Sequence, residues 1–206
     1  MTRLLVYPLS PKRWEDLVLV FGGGDGKGDC GRCWCMYWRL PKANFVDLLG
    51  KKNKKLFNQL VAAGPPPGLI GYDETGAPVG WVQVTPRPDT PAWNAPGRLT
   101  APLEPDDADN ERIWGISCFV VRAGHRRHGY FSGLLDAAIG WARENGATAL
   151  DACPVDAKER RPASALYHGL APAFRERGFK ELARRRPDRP LMRLVLTKSA
   201  KALRKK

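Results

Sequence analysis

The chain has 206 residues, 43% of them hydrophobic, and a formal net charge of +13. That length suits one domain with a full core. No apolar run reaches the roughly 18–20 residues of a membrane span, and the start MTRLLVYPLS lacks a signal-peptide core, so a soluble, cytoplasmic chain is expected.

In chain order, Arg3 to Tyr7 reads as a first strand. Ser10 then caps a helix with Pro11 at its first position, and Trp14, Leu17, Val18 and Phe21 form its buried face. Gly22 to Asp29 (GGGDGKGD) is a flexible loop; it lacks the Gly-Lys-Ser/Thr ending of a nucleotide loop, and no strand leads into it. Next comes Cys30-Gly31-Arg32-Cys33-Trp34-Cys35-Met36-Tyr37-Trp38-Arg39. Three cysteines here could ligate zinc, but a tetrahedral site wants a fourth ligand, so no metal is expected. The chain's five cysteines, an odd number, argue for reduced thiols rather than a disulfide framework.

Pro41 to Gly64 is a lysine-rich helical stretch ended by GPPPG. Two strands follow around a turn at Glu74-Thr75-Gly76, the second spanning Gly80 to Val84. Pro86 to Asp109 is proline-rich and acidic at its end, and its length predicts a surface loop acting as a lid. Cys118 to Val121 is a run of strand formers leading into the basic loop Arg122 to Gly129. Beyond it, Phe131, Leu134, Leu135, Ala138, Ile139 and Ala142 repeat at helical spacing, and Asn145-Gly146 supplies the stop. A strand from Ala147 to Val155, a helix from Ala163 to Gly178 that Pro172 interrupts, and strands Lys180–Arg185 and Leu191–Thr197 complete the series.

Strand, basic loop and helix start together form an anion site. The loop amides converge, the first helical N–H groups have no intrahelical acceptor, and the helix dipole favours negative charge there. Arg126, Arg127 and His128 add side-chain donors.

The run Arg126-Arg127-His128-Gly129-Tyr130-Phe131, followed by Ser132 and Leu134-Leu135, resembles the acetyl-CoA motif of the GNAT N-acetyltransferase superfamily, Arg/Gln-x-x-Gly-x-Gly/Ala after a strand. Phe131 stands where the motif has a small residue, and its place on the apolar helix face directs it towards the core. The resemblance extends over the whole series of elements. It implies an α/β fold with a mixed, splayed central sheet and helices on both faces, a GNAT-like domain over residues 1–198 and a basic tail at 199–206. The Cys-Trp-Cys-x-x-Trp-Arg run resembles a bacterial subgroup of the same superfamily.

The resemblance implies a co-substrate, acetyl-CoA, and a transfer to a primary amine of a small molecule or peptide by direct attack. The pyrophosphate would lie on the amides of residues 127–132, with Arg126 beside it, and the pantetheine arm would pair with Phe119-Val120-Val121. A backbone N–H near Val120 or Val121 would polarise the thioester carbonyl. The superfamily's acid is often a tyrosine in Tyr-x-x-x-Gly-Phe; here that run is Phe174-Arg175-Glu176-Arg177-Gly178-Phe179. Phe174 can only contribute to the cofactor site. Tyr167, two helical turns upstream of it, becomes the candidate acid if the helix is continuous, and a core tyrosine otherwise.

No general base stands out. Glu111 precedes the motif strand and is expected to be structural, and Ser117 and Cys118, as strand neighbours, should face opposite sides so that only one reaches the cleft. Trp34, Tyr37 and Trp38, with Arg39, either wall the acceptor site or pack their loop onto the sheet.

Two other functions stay open. The missing tyrosine allows a non-enzymatic acyl-CoA sensor. From Arg175 to Lys206 thirteen Lys/Arg stand against three acids, which allows recruitment to nucleic acid, although no nucleic-acid-binding pattern accompanies the charge. Homodimer formation is also left open.

Overall fold

The computed structural model describes residues 3–22, 31–157 and 166–196. The loop Gly23–Asp29, Cys30, the start of the helix expected at Ala163 and the tail at 199–206 lie outside the described residues.

Seven strands form one sheet: β1 (Leu5–Pro8), β2 (Gly68–Tyr72), β3 (Pro78–Pro86), β4 (Ile113–Val121), β5 (Ala149–Ala152), β6 (Lys180–Arg186) and β7 (Arg189–Val195), in the spatial order β1-β2-β3-β4-β5-β7-β6. Only β4 and β5 run parallel, and their pairing covers just Ile113–Ile116 against Ala149–Ala152. Beyond Ile116 β4 continues without β5, and the sheet splays. Parallel neighbours need a crossover, and α5 (Tyr130–Glu144) supplies it.

Side chains alternate across the sheet, so two cores form. Val82, Val84, Trp114, Ile116 and Phe119 meet Leu134, Leu135, Ala138 and Ala142 of α5 on one face, together with Ala171 and Phe174 of α6 (Ala171–Arg175). Ile70, Trp81 and Val120 meet α1 (Trp14–Val20) and α3 (Lys51–Ala63) on the other, through Leu17, Phe21, Phe57 and Val61. Helices therefore cover both faces of the mixed sheet. Each buried Leu or Phe on these faces contributes roughly 1.5–3 kcal/mol through surface removed from water.

Four expectations change. The Pro41–Gly64 stretch is two helices, α2 (Lys42–Asp47) and α3, because Gly50 adopts φ +78° between them. The strand expected over Ala147–Val155 is reduced to β5 plus an isolated bridge from Val155 to Leu170. The last helix within the described residues starts at Ala171, with Pro172 in its first turn where the lost N–H costs nothing. Tyr167 therefore sits in a turn, and its two-turn alignment with Phe174 does not apply.

The segment Pro86–Asp109 is anchored rather than a loose lid. It folds into the short helix α4 (Pro91–Asn94) and helical turns on either side. The Arg87 guanidinium is fully buried; it meets Asp151 at 2.7 Å, donates to Asn94 Oδ1 at 2.6 Å and lies over the Trp93 ring. Arg193 holds the other side of Asp151 and reaches Asp107 at 2.8 Å. Arg185 donates to the carbonyls of Leu99 and Ala101.

Candidate active site

Two cavities open along β4. The smaller, about 340 Å³, is lined by Phe119, Val120 and Val121, by Arg126, Arg127 and Gly129 of the loop, by Tyr130 and Phe131, and by Leu166, Tyr167, Gly169 and Leu170. Arg127 (φ +68°) and Gly129 (φ +80°) turn the loop sharply into α5. A Cβ on Gly129 would project into open space beside the loop, which is room a phosphate can use where a side chain would intrude. Arg126 is steadied by donating its Nε–H to the Val121 carbonyl at 3.1 Å. Backbone amides at a helix start, two arginines and a bare glycine fit the diphosphate of a CoA ester.

The Phe119 N–H donates to the Tyr167 carbonyl at 2.6 Å, while the Arg122 N–H turns the other way, to Val79 of β3. The two-residue strand period then puts Val121, and not Val120, on the splayed edge with Phe119. Phe131, the large residue at the motif's small position, packs edge-on against Phe119 with ring centroids 4.7 Å apart. Leu134 closes against Gly80, where a Cβ would come within 2.8 Å of it.

The larger cavity, about 630 Å³, lies on the other side of Tyr167. Tyr37 and Trp38 form an aromatic wall, with ring centroids 4.5 Å apart. His168, Gln83, Arg98, Arg189, Ser117 and Cys118 also line it. Ser117 and Cys118 both reach this cavity, against the alternation expected of strand neighbours. The cause is a bulge: Gln83 pairs with Cys118 but Val84 with Ile116, so Ser117 is an extra residue.

His168 places Nδ1 3.1 Å from the Ser117 carbonyl. A carbonyl only accepts, so Nδ1 carries the proton and Nε2 the lone pair. Burial, with Arg189 as a further cause, lowers its pKa from 6.5 to about 3, so the ring is neutral at ordinary pH. Burial, then the neighbouring Cys35, pushes the Cys33 thiol up to about 12, which keeps it from acting as a thiolate.

Two sequence expectations are corrected. Trp34 does not wall the acceptor cavity. It is buried in the second core, between Trp14 and Phe21, and donates Nε1–H to the Gly31 carbonyl. Trp34 and Cys35 both adopt positive φ, 49° and 52°; the turn they make carries Trp34 inward and sets Cys35 Sγ 3.2 Å from the Trp81 indole nitrogen. Phe174 lines neither cavity; with no polar tip to reach water, its ring is fully buried among Phe119, Phe131 and Phe179.

His128 and Ser132 stand at the loop end and first helical turn without lining the smaller cavity. Arg39 donates to the Asp89 carbonyl, away from the acceptor wall. Glu111 is exposed, and its carbonyl accepts from the Trp114 indole. Among the described residues no three His, Cys, Asp or Glu side chains gather as a metal site, and no helix is long and apolar enough to cross a membrane.

Gln83, Arg98 and Arg189 were missed in the sequence. Gln83 was discoverable, as the one polar residue inside the apolar run Gly80 to Val84. Arg98, in the segment after β3, and Arg189, the first residue of β7, lie far apart in the chain and carry no local signal.

Residues 34–171 match the acetyltransferase (GNAT) family. The chain belongs to that family. It is an acetyltransferase that acts with acetyl-CoA. No curated protein sequence matches it. Among solved structures it is similar to a GCN5-related N-acetyltransferase from Kribbella flavida, at 14% identity over 94% of this chain and 98% of that one, TM-score 0.53. It is also similar to the PaiA N-acetyltransferase of Thermoplasma acidophilum in complex with coenzyme A, at 11% identity over 94% and 99%, TM-score 0.52. A GNAT-family acetyltransferase from Listeria monocytogenes aligns at 11% identity over 94% and 95%, TM-score 0.54. At such identities the likeness concerns the fold.

Proposed function

We propose that this acetyltransferase acylates a primary amine held in the larger cavity. The observation that carries this reading is Tyr167, which lines both cavities and stands where they meet. Donor and acceptor held on its two sides would share one reacting centre. Acetyl-CoA supplies the acyl group as a thioester.

Arg126, Arg127 and the amides from Arg127 to Phe131 hold the diphosphate, the Ser132 N–H being donated to the Gly129 carbonyl, and the β4 edge at Phe119 and Val121 lies beside the pantetheine arm. The Val121 N–H is the splayed-edge amide available to polarise the carbonyl. Tyr37 and Trp38 wall the acceptor. As the amine nitrogen forms the new C–N bond and the C–S bond breaks, the Tyr167 hydroxyl gives its proton to the departing sulfur. The amine's own proton leaves to solvent.

Thiol release from acetyl-CoA across a panel of amines, with calorimetric titration of CoA, tests the reading. Amine-dependent release with an N-acetylated product supports it. CoA binding without transfer to any amine would leave a sensor.

A further inference from the structure

The larger cavity is cationic, with no acid among its described lining residues. Arg32 at its mouth and Arg98 and Arg189 in its wall contribute three guanidinium groups, and none of the residues lining it, among those described, is Asp or Glu. None of the three pairs with a carboxylate among the described residues. Arg98 lies 5.7 Å above both the Tyr37 and Trp38 rings and donates to the Tyr37 hydroxyl at 3.3 Å, which fixes the guanidinium against the aromatic wall. Arg189 donates from Nη2 to the Cys153 carbonyl, leaving a buried Nε–H with no acceptor. Two further polar side chains of the lining have no partner among the described residues. Gln83 is fully buried with both side-chain polar atoms unbonded, and the Ser117 hydroxyl is buried and unbonded too.

Buried polar groups left without partners are costly, and a ligand that supplies partners recovers that cost. The planar fork of a guanidinium matches a carboxylate, and a cavity with cations and no acid disfavours a polyamine or a lysine-rich peptide. Apolar and aromatic surfaces from Tyr37, Trp38, Phe45, Leu49 and Leu99 fill the rest of the wall.

We infer that the acceptor is an amine that also carries a carboxylate, on an apolar or aromatic body: an α-amino acid or a compound of that form, its carboxylate held by Arg98 and Arg189. This rests on the proposed acyl transfer to an amine and deepens it by naming the substrate class.

The test compares matched probes on the intact protein. L-phenylalanine, L-leucine and L-methionine are assayed against their carboxamides and against putrescine, by thiol release from acetyl-CoA. The free acid of at least one pair should exceed its amide in kcat/KM by roughly 10–100-fold, the scale of a charge-assisted bond. Arg98→Gln should remove most of that ratio and leave CoA affinity as it was. Amides or putrescine matching the acids, or an unchanged ratio in Arg98→Gln, would overturn the inference while acyl transfer stands. A second measurement does not need turnover. By calorimetry, 3-phenylpropanoate should bind and 3-phenylpropanamide should bind at least tenfold more weakly. Equal affinities, or no binding of the carboxylate, would also overturn it. Loss of CoA binding by the wild-type protein would instead count against the acetyl-transfer reading.

Discussion

The Arg87 guanidinium and the Asp151 carboxylate, 64 residues apart in sequence, meet at 2.7 Å with neither side chain exposed to solvent. Asp151 also receives Arg193, at 2.6 and 2.8 Å, so one buried carboxylate ties the segment after β3 to the far strand β7. That segment carries Arg98, Leu99 and Thr100 into the acceptor cavity. Asp151→Ala should destabilise the protein by about 3–5 kcal/mol, because it strands a buried cation. Asp151→Asn, which keeps one acceptor oxygen, should lose less. Urea unfolding with linear extrapolation measures both, and a loss below 1 kcal/mol in the alanine variant would show the pair to be dispensable.

Gly129 turns the loop with φ +80°. Gly129→Ala should weaken CoA binding, since a left-handed conformation costs an L-residue about 1–2 kcal/mol and the new methyl faces the diphosphate. Gly129→Asp adds a like charge and should abolish binding. Calorimetric titration of CoA reads both, and unchanged affinity in the aspartate variant would remove this loop from the cofactor site.

Tyr167→Phe removes only a hydroxyl. If that hydroxyl protonates the departing sulfur, kcat should fall roughly 10²–10³-fold while CoA affinity holds. Wild-type turnover in the phenylalanine variant would mean that water supplies the proton.

Stability should fall with acid through His168. Its pKa is lowered from 6.5 to about 3 by burial. Above 6.5 neither the folded nor the unfolded chain carries the proton, so the group contributes nothing to the pH dependence. Between 6.5 and about 3 the unfolded chain takes a proton that the folded one refuses, and stability declines as pH drops. Asp156 adds a second decline at lower pH. Its carboxyl, held down to about 2 chiefly by the hydrogen bond from Arg175, loses that support as pH falls from 3.8. Urea midpoints across pH 7 to 4, in wild type and His168→Gln, check this: the variant's profile should be the flatter.

The anion loop was legible because its signal is local: basic residues, a glycine and a helical period lie within about a dozen positions of the helix start. The order of strands and helices was legible for the same reason. Trp34 was misplaced because aromatic residues wall a site or fill a core with equal ease, and only the paired positive φ at Trp34 and Cys35 turns the indole inward. Phe174 was misread because its motif position suggested cofactor contact, whereas its side chain has only apolar surface to offer. The acceptor wall was hidden by distance: Arg98 and Arg189 come together only when the segment after β3 and the start of β7 are folded against the same opening.

The extra residue at Ser117 changes the parity of the strand. Before it, the even-numbered Trp114 and Ile116 point towards α5; after it, the odd-numbered Phe119 takes that direction and Cys118 and Val120 point away. β4 thus has two halves whose numbering is out of phase, and the single extra position between them sets two consecutive side chains, Ser117 and Cys118, on the cavity side. Removing that position would join Ile116 directly to Cys118 in a regular ladder, with Phe119 still towards α5 and Val120 still away, and would take away one of the two consecutive side chains on the cavity side. A point substitution such as Ser117→Ala would leave the phase intact. Deletion of Ser117 also removes the carbonyl that His168 Nδ1–H meets, so it should cost more stability than its replacement, a contrast that unfolding measurements on the two variants would read directly.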